Sequence, residues 1–168
     1  MTANLPEPLI DLARRVVEAH RAAGTRIVVA ESCTGGLVAA ALTEVAGSSE
    51  MFDGAWVTYS NQAKVTELGV SNEVLDTFGA VSIATAWAMA RGALAQSTAD
   101  LAVSITGIAG PGGATPGKPV GTVVFARAER GGDRGEIVAD SRLFENEDRS
   151  GVRLQAALCA LELLLPLP

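Results

Sequence analysis

Apolar positions along the chain switch between a helical and a strand-like repeat, and the switches mark out the elements. Leu9, Ala13, Val16, Val17 and His20 recur at helical spacing. Asn4-Leu5-Pro6-Glu7 reads as the start of that helix, with Asn4 as the capping side chain, and Gly24 as its stop. The β-branched run Ile27-Val28-Val29-Ala30 predicts a strand that breaks at Glu31-Ser32. Thr34-Gly35-Gly36 then turns the chain into a small-residue helix, with Leu37, Val38, Ala41, Leu42 and Val45 on one apolar face and Gly47 at its end. Ser48 or Ser49 is expected to cap a short turn. Ala55-Trp56-Val57-Thr58-Tyr59 has strand composition and runs into a helix, Ser60-Asn61-Gln62-Ala63-Lys64 onward, capped by Ser60 and ended by Gly69. Ser71 caps a further short helix ending near Gly79. Ser82 opens the next one, with Ile83, Trp87, Ala90 and Leu94 on one face. Leu101 to Thr106 is a third apolar strand. Gly121 to Ala128 and Glu136 to Phe144 alternate across Gly131-Gly132-Asp133-Arg134-Gly135, a hairpin signal. The last helix is predicted from about Asp148 to Leu165, with Val152, Ala156, Cys159 and Leu163 inward.

Strands alternating with helices, then a late hairpin, predict an α/β fold: a three-layer α/β/α sandwich whose mixed sheet combines parallel strands with an antiparallel hairpin. With no repeat and no low-complexity linker, residues 1–168 read as a single domain. In open sheets of this kind ligands bind beyond the carboxyl ends of the parallel strands. Three such ends carry unusual residues, Glu31-Ser32, Tyr59-Ser60 and Thr106-Gly107, and they are expected to converge on one crevice.

Composition narrows the functional classes. Hydrophobic residues make up 48% and aromatics only 4%, so the core is built from Ala, Val, Leu and Ile. A net charge of -6 argues against nucleic acid or an anionic membrane as the main partner. A small anionic ligand needs only a local positive field. No basic leader precedes an apolar stretch, and no apolar run is long enough to span a bilayer. Cys33 and Cys159 lie far apart in unlike settings, which fits a cytoplasmic, disulfide-free protein. One His and two Cys make no zinc constellation, so neither metal nor cofactor is expected. His20, near a helix end, reads as structural, and Cys159 as core.

The turn after the first strand carries three neighbouring nucleophile types, Ser32, Cys33 and Thr34. Amides at the start of a helix lack intrahelical acceptors, so those of Cys33, Thr34, Gly35 and Gly36 are candidates to hold an oxyanion or a phosphate. An ordinary connecting turn with Ser32 as its N-cap is the competing reading. A serine hydroxyl needs an activator. Lys64, on the helix after the neighbouring strand, is the apt base if burial keeps its amine neutral. A solvated helix residue is the alternative for Lys64, and a plain helix cap for Ser60. Tyr59 is placed to bond either group. Cys33 lacks a His or second Cys to make a thiolate. Gly107 to Gly113 is either a phosphate cradle or a flexible connection, and it lacks the Gly-Lys-Ser/Thr ending of a P-loop. Lys118, just beyond, reads as an exposed loop residue.

Several of these segments together resemble a known family. Glu31-Ser32-Cys33-Thr34-Gly35-Gly36, Tyr59-Ser60-Asn61 with Ala63-Lys64, Gly79-Ala80-Val81-Ser82, Thr106 through Gly113, and Lys118-Pro119-Val120-Gly121-Thr122-Val123 look like the C-terminal domain of the competence/damage-inducible protein CinA. The likeness runs from roughly Leu9 to Leu164. It implies a nicotinamide-nucleotide amidase, acting on a small pyridine nucleotide, in a form without the N-terminal domain of full-length CinA. It further implies Ser32 as nucleophile, Lys64 as base and Tyr59 as an assisting hydroxyl. Thr106, Gly107, Gly110, Gly112 and Gly113 would line the nucleotide site, with Asn61 beside them. Asn146-Glu147-Asp148-Arg149 departs from the family pattern, which often has Gly before Asp-Arg, so no binding role is assigned to Arg149. Two other classes stand beside the amidase. One is a catalytically silent nucleotide- or phosphate-binding scaffold, marked by a Lys64 in open solvent out of reach of Ser32. The other is a metal-dependent pyrophosphatase, for which Glu31 is the only acid at hand. A homo-oligomer is expected.

Overall fold

The computed structural model describes residues 4–132 and 137–167. The order is α1 (Glu7–Ala23), β1 (Ile27–Glu31), α2 (Leu37–Thr43), a 3-10 turn (Ser48–Glu50), β2 (Phe52–Val57), α3 (Asn61–Leu68), α4 (Asn72–Phe78), α5 (Ile83–Ala95), β3 (Leu101–Gly107), β4 (Thr122–Glu129), β5 (Val138–Leu143) and α6 (Arg149–Leu164). One sheet runs β2-β1-β3-β4-β5. β1 pairs parallel with β2 and β3, and β4 pairs antiparallel with both β3 and β5. The expected mixed α/β sandwich is therefore present. Asp133, Arg134, Gly135 and Glu136, part of the expected hairpin loop and strand start, lie outside the described residues.

The alternation of side chains across the sheet divides the core in two. Ile27, Val29, Val103, Ile105, Val123 and Phe125 pack under α1, α2 and α6. Val28, Ala30, Ala102, Val124 and Ala126 pack against α5 and the ends of α3 and α4 on the other face. β1 is buried along its whole length, as a central strand covered on both faces must be, which is why it reads as an unbroken apolar run. β2, at the edge, alternates half-buried and exposed positions.

Local signals fare unevenly. Ser60, Ser71, Ser82 and Asp148 each accept an amide hydrogen bond as helix N-caps. Asn4 does not: α1 opens at Pro6, whose carbonyl accepts from Leu9 and Ile10. Neither serine caps the 3-10 turn, which begins after Gly47 in a left-handed conformation. Tyr59 lies beyond β2 rather than within it. The buried face of α5 is Thr85, Ala86, Met89, Ala90, Ala93 and Leu94, rotated from the expected one, with Ile83 exposed and Trp87 half-buried. The reason is contact distance: α5 lies so close to the sheet and to α3 that alanines fit where larger side chains do not. Leu163 is half-buried and Leu164 takes the inward place. His20 is structural, as expected, with partners at both ring nitrogens: Thr25 Oγ1 at 2.7 Å and the Leu164 carbonyl at 2.6 Å.

Gly92 marks the closest approach of α5 to α3. A Cβ there would strike the Leu68 carbonyl oxygen and come within 2.8 Å of its carbon and 3.0 Å of its Cβ. Alanine in a helix interior ordinarily gains about 1 kcal/mol over glycine. Here the obstacle is backbone, and overpacking of this kind costs ~1–3 kcal/mol or more. Gly92→Ala is expected to lower stability by about 2 kcal/mol, the reverse of the propensity effect, as read from urea denaturation midpoints.

Candidate active site

The carboxyl ends of β1, β2 and β3 do converge. Ser32 N donates to the Ile105 carbonyl at 2.9 Å, and Thr58 N donates to the Glu31 carbonyl at 2.9 Å, so both flanking chains are tied to the end of β1. Between them opens a cleft of about 260 Å³ lined by Ser32, Cys33, Tyr59, Asn61, Lys64, Ala80, Val81, Thr106, Gly107, Ala109 and Arg149.

The turn from Ser32 to Gly36 spends its amides selectively. Gly35 N donates to the Ser32 carbonyl at 3.0 Å, and Leu37 N to that of Thr34 at 3.2 Å. Gly35 and Gly36 hold left-handed backbone angles, with φ of 60° and 96°. Glu31, fully buried, accepts from Val38 N at 3.0 Å and Ala39 N at 3.1 Å through its two carboxylate oxygens. The start of α2 is thus filled from below by a carboxylate, and its first amides do not all face the cleft as the sequence suggests. Gly35 N is also committed. Among the described residues, the amides of Cys33, Thr34 and Gly36 remain without a protein acceptor. Cys33 and Thr34 are the two that directly follow Ser32 in the chain.

Lys64 is 1% exposed. Its Nζ lies 3.0 Å from Ser32 Oγ, 2.7 Å from the Thr58 carbonyl oxygen and 3.3 Å from that of Tyr59. Burial pushes the amine down from its ordinary value of 10.5 to about 8. A neutral amine keeps two hydrogens, which the two carbonyls accept. Its lone pair is then left facing the third neighbour, the Ser32 hydroxyl, the alignment a general base requires. Ser60 fixes the helix that carries Lys64 by accepting from Ala63 N at 3.0 Å.

The other expected residues sort differently. Tyr59 meets Lys64 through its carbonyl. Its exposed phenol accepts from Arg149 Nη2 at 3.0 Å, and the residue lines the cleft together with Ser32 and Lys64. Cys33 is buried, and desolvation pushes its thiol up to about 11, against a thiolate role. Thr106 lines the cleft and donates through Oγ1 to the Ala80 carbonyl at 2.8 Å. Gly107 is needed for space: a Cβ would lie 2.8 Å from Val123 Cγ2 and 3.1 Å from Cys33 Sγ. Gly110 is buried, with its carbonyl accepting from Arg149 Nη1 at 2.6 Å. Gly112 and Gly113 are exposed and are not among the residues lining the cleft. Lys118 donates to the Phe78 carbonyl at 2.8 Å, pinning the glycine loop to the end of α4. Among the described residues no group of three His, Cys, Asp or Glu side chains is arranged to hold a metal ion.

Three residues outside the sequence assignment matter to this geometry. Arg149 lines the cleft and joins Tyr59 to Gly110. Glu31 ties the nucleophile turn to α2. Arg153 donates from α6 to the carbonyls of Cys33 at 3.1 Å and Thr34 at 3.0 Å. Arg149 and Arg153 are four apart on one helix, hence on one face. That spacing was legible, but not what the face meets.

A serine on a strand-to-helix turn, set against a desolvated lysine from the neighbouring unit, defines the class: a mixed α/β sandwich built around a buried Ser–Lys pair. A family model described as the CinA C-terminal domain matches residues 9–167, and the chain belongs to that family. It is 48% identical to the nicotinamide-nucleotide amidohydrolase PncC of Escherichia coli strain K12 over 93% of this chain and 92% of that protein. To a CinA-like protein of Chlorobium phaeovibrioides it is 48% identical over 96% of this chain, which spans only 36% of that relative's length. A solved structure, competence/damage inducible protein CihA from Agrobacterium tumefaciens, superposes with a TM-score of 0.92 at 46% identity, covering 97% of each chain.

Burying Lys64 has a thermodynamic signature. Its folded value near 8 lies below the unfolded 10.5, so folding releases a proton from the ammonium. The destabilisation is fully present below pH 8 and fades as pH rises toward 10.5. Lys64→Met removes it, so the stability difference between variant and wild type should shift by ~3 kcal/mol in favour of wild type between pH 7 and pH 11. Denaturant titrations at both pH values check this.

Proposed function

We propose that this chain is a nicotinamide-nucleotide amidase that hydrolyses the carboxamide of nicotinamide mononucleotide to nicotinic acid mononucleotide and ammonia. The observation that carries the reading is the 3.0 Å contact between Ser32 Oγ and a Lys64 amine sealed from solvent. Relatives named nicotinamide-nucleotide amidohydrolase, 47% and 48% identical over more than nine-tenths of both chains, support the substrate. A Lys64 exposed and distant from Ser32 would have favoured the silent-scaffold alternative, and the geometry supports the enzyme instead.

In this mechanism neutral Lys64 takes the Ser32 proton as the hydroxyl oxygen attacks the carboxamide carbon. The oxyanion forms against the Cys33 and Thr34 amides, each donor contributing on the order of 3 kcal/mol. The ammonium of Lys64 returns that proton to the departing nitrogen as the C–N bond breaks, and ammonia leaves an ester on Ser32. Water, deprotonated by the same amine, attacks the ester carbon. The Ser32 oxygen leaves, recovers its proton, and the acid is released. Arg149 is the cation at the cleft mouth for the nucleotide's phosphate. Two buried free thiols fit action in the cytoplasm. Exposed Ile137, Val138 and Leu143 along the free edge of β5 fit self-association.

Ammonia release from nicotinamide mononucleotide tests the assignment. Ser32→Ala and Lys64→Met should each lose at least about a thousandfold in kcat while remaining folded. Release undiminished in Ser32→Ala excludes Ser32 as nucleophile, and none from wild type excludes the substrate. With Lys64 titrating at about 8, kcat/KM should rise roughly tenfold per pH unit below that value and level off above it. A flat profile from pH 6 to 9 removes Lys64 as the base.

A further inference from the structure

We propose that Arg153 is a positioning residue for the oxyanion site, holding the Cys33–Thr34 peptide that aims the Thr34 amide and, through the Gly35 N–H that bonds the Ser32 carbonyl, steadying the peptide that aims the Cys33 amide. The inference rests on the amidase reading above and names a residue that nothing in the motif spacing marks. Arg153 sits half-buried one turn beyond Arg149 on α6, behind the nucleophile turn rather than in the cleft. Its Nε and Nη2 donate to two consecutive carbonyls, those of Cys33 and Thr34, in the fork geometry that only a guanidinium offers.

A trans peptide sets its N–H opposite its C=O. Fixing the Cys33 carbonyl against Arg153 therefore turns the Thr34 N–H away from α6. The preceding peptide is fixed in the same sense, because the Ser32 carbonyl is held by Gly35 N at 3.0 Å, which turns the Cys33 N–H the opposite way. Among the described residues both amides are left without an acceptor, as is that of Gly36 farther along the turn. With Gly35 and Gly36 left-handed on its far side, the turn has little intrinsic preference for one orientation. An external clamp is what keeps it preorganised.

The charge matters as well as the fork. The Glu31 carboxylate, tied to Val38 N and Ala39 N, places a buried negative charge beneath the same turn. Negative charge developing on a substrate oxygen would meet that field as well as the Lys64 ammonium. The Arg153 guanidinium, at the Cys33 and Thr34 carbonyls, adds a permanent positive charge to the turn. A donated hydrogen bond to each carbonyl also polarises the peptide and strengthens the paired N–H as a donor. Arg153 touches no reacting atom in this scheme and acts through the backbone.

Two variants of the full chain, Arg153→Ala and Arg153→Lys, test the proposal on two reactions. The first is ammonia release from nicotinamide mononucleotide. The second is modification of Ser32 by a small fluorophosphonate, whose phosphoryl oxygen uses the same amides. Arg153→Ala is expected to lose on the order of 100-fold in kcat with KM changed by less than about threefold, and to slow phosphonylation by a similar factor. Lysine, with one point charge, should recover part of the loss, and added millimolar guanidinium should raise the alanine variant's rate. A wild-type kcat in folded Arg153→Ala overturns the proposal, as does a loss carried wholly by KM. If the alanine variant does not fold, the lysine variant decides. It keeps the charge but loses the fork, so a wild-type kcat and phosphonylation rate there overturn the proposal and a partial kcat loss supports it. If wild type releases no ammonia yet phosphonylation still depends on Arg153, the substrate reading fails and the positioning role stands.

Discussion

The structure depends on keeping an amine dry. Lys64 is among the largest fully buried side chains of the protein, and among the described residues no carboxylate pairs with it. An ammonium in that place would lack most of its hydration, so burial lowers the amine from 10.5 to about 8 and brings the neutral form within reach near neutral pH. Two carbonyls just past the end of β2 orient it without adding charge. A carboxylate in their place would raise the amine's proton affinity and abolish the effect. In the proposed mechanism, the stability forgone by burying this titratable group is the condition for reactivity.

Glu31 shows the same economy in a different form. Its side chain is buried next to Ser32 in the chain and, among the described residues, bonds only to the first amides of α2, so it serves the helix and is not among the residues lining the cleft. That arrangement joins strand, turn and helix into one rigid corner. The polar residues of the motif Glu31-Ser32-Cys33-Thr34-Gly35-Gly36 consequently divide their labour. One anchors, one faces the cleft, one packs into the core, and the glycines supply the reversal of the chain.

Much of this was legible in the sequence where the signal is local. The β-branched runs, the serine caps at Ser60, Ser71 and Ser82, and the breaks at Gly24 and Gly69 reflect chemistry within a few residues. The crevice followed from a general rule about parallel strand ends. What was not legible depended on distance or direction. The inward face of α5 rotated because close packing selects alanine, which carries too little hydrophobic contrast to reveal a side. Tyr59 stands five residues from Lys64, yet its phenol turns outward and its carbonyl inward, a choice made by the backbone after β2. The fate of the Gly35 amide is settled by one local turn bond. Arg149 and Arg153 reach the site across more than eighty residues of chain, and no periodicity encodes what lies at the far end of a guanidinium.

The two halves of the core lie on opposite faces of the sheet, and the dyad draws one member from each. Ser32 leads into α2 on one side, and Lys64 rides on α3 on the other. The Ser32–Lys64 contact is therefore assembled across the sandwich, and its length gauges how firmly both outer layers grip the central sheet. Where that contact serves the proposed chemistry, a slip of either layer by an ångström would end activity while most secondary structure persists, so the sandwich must be held tighter than its mere survival requires.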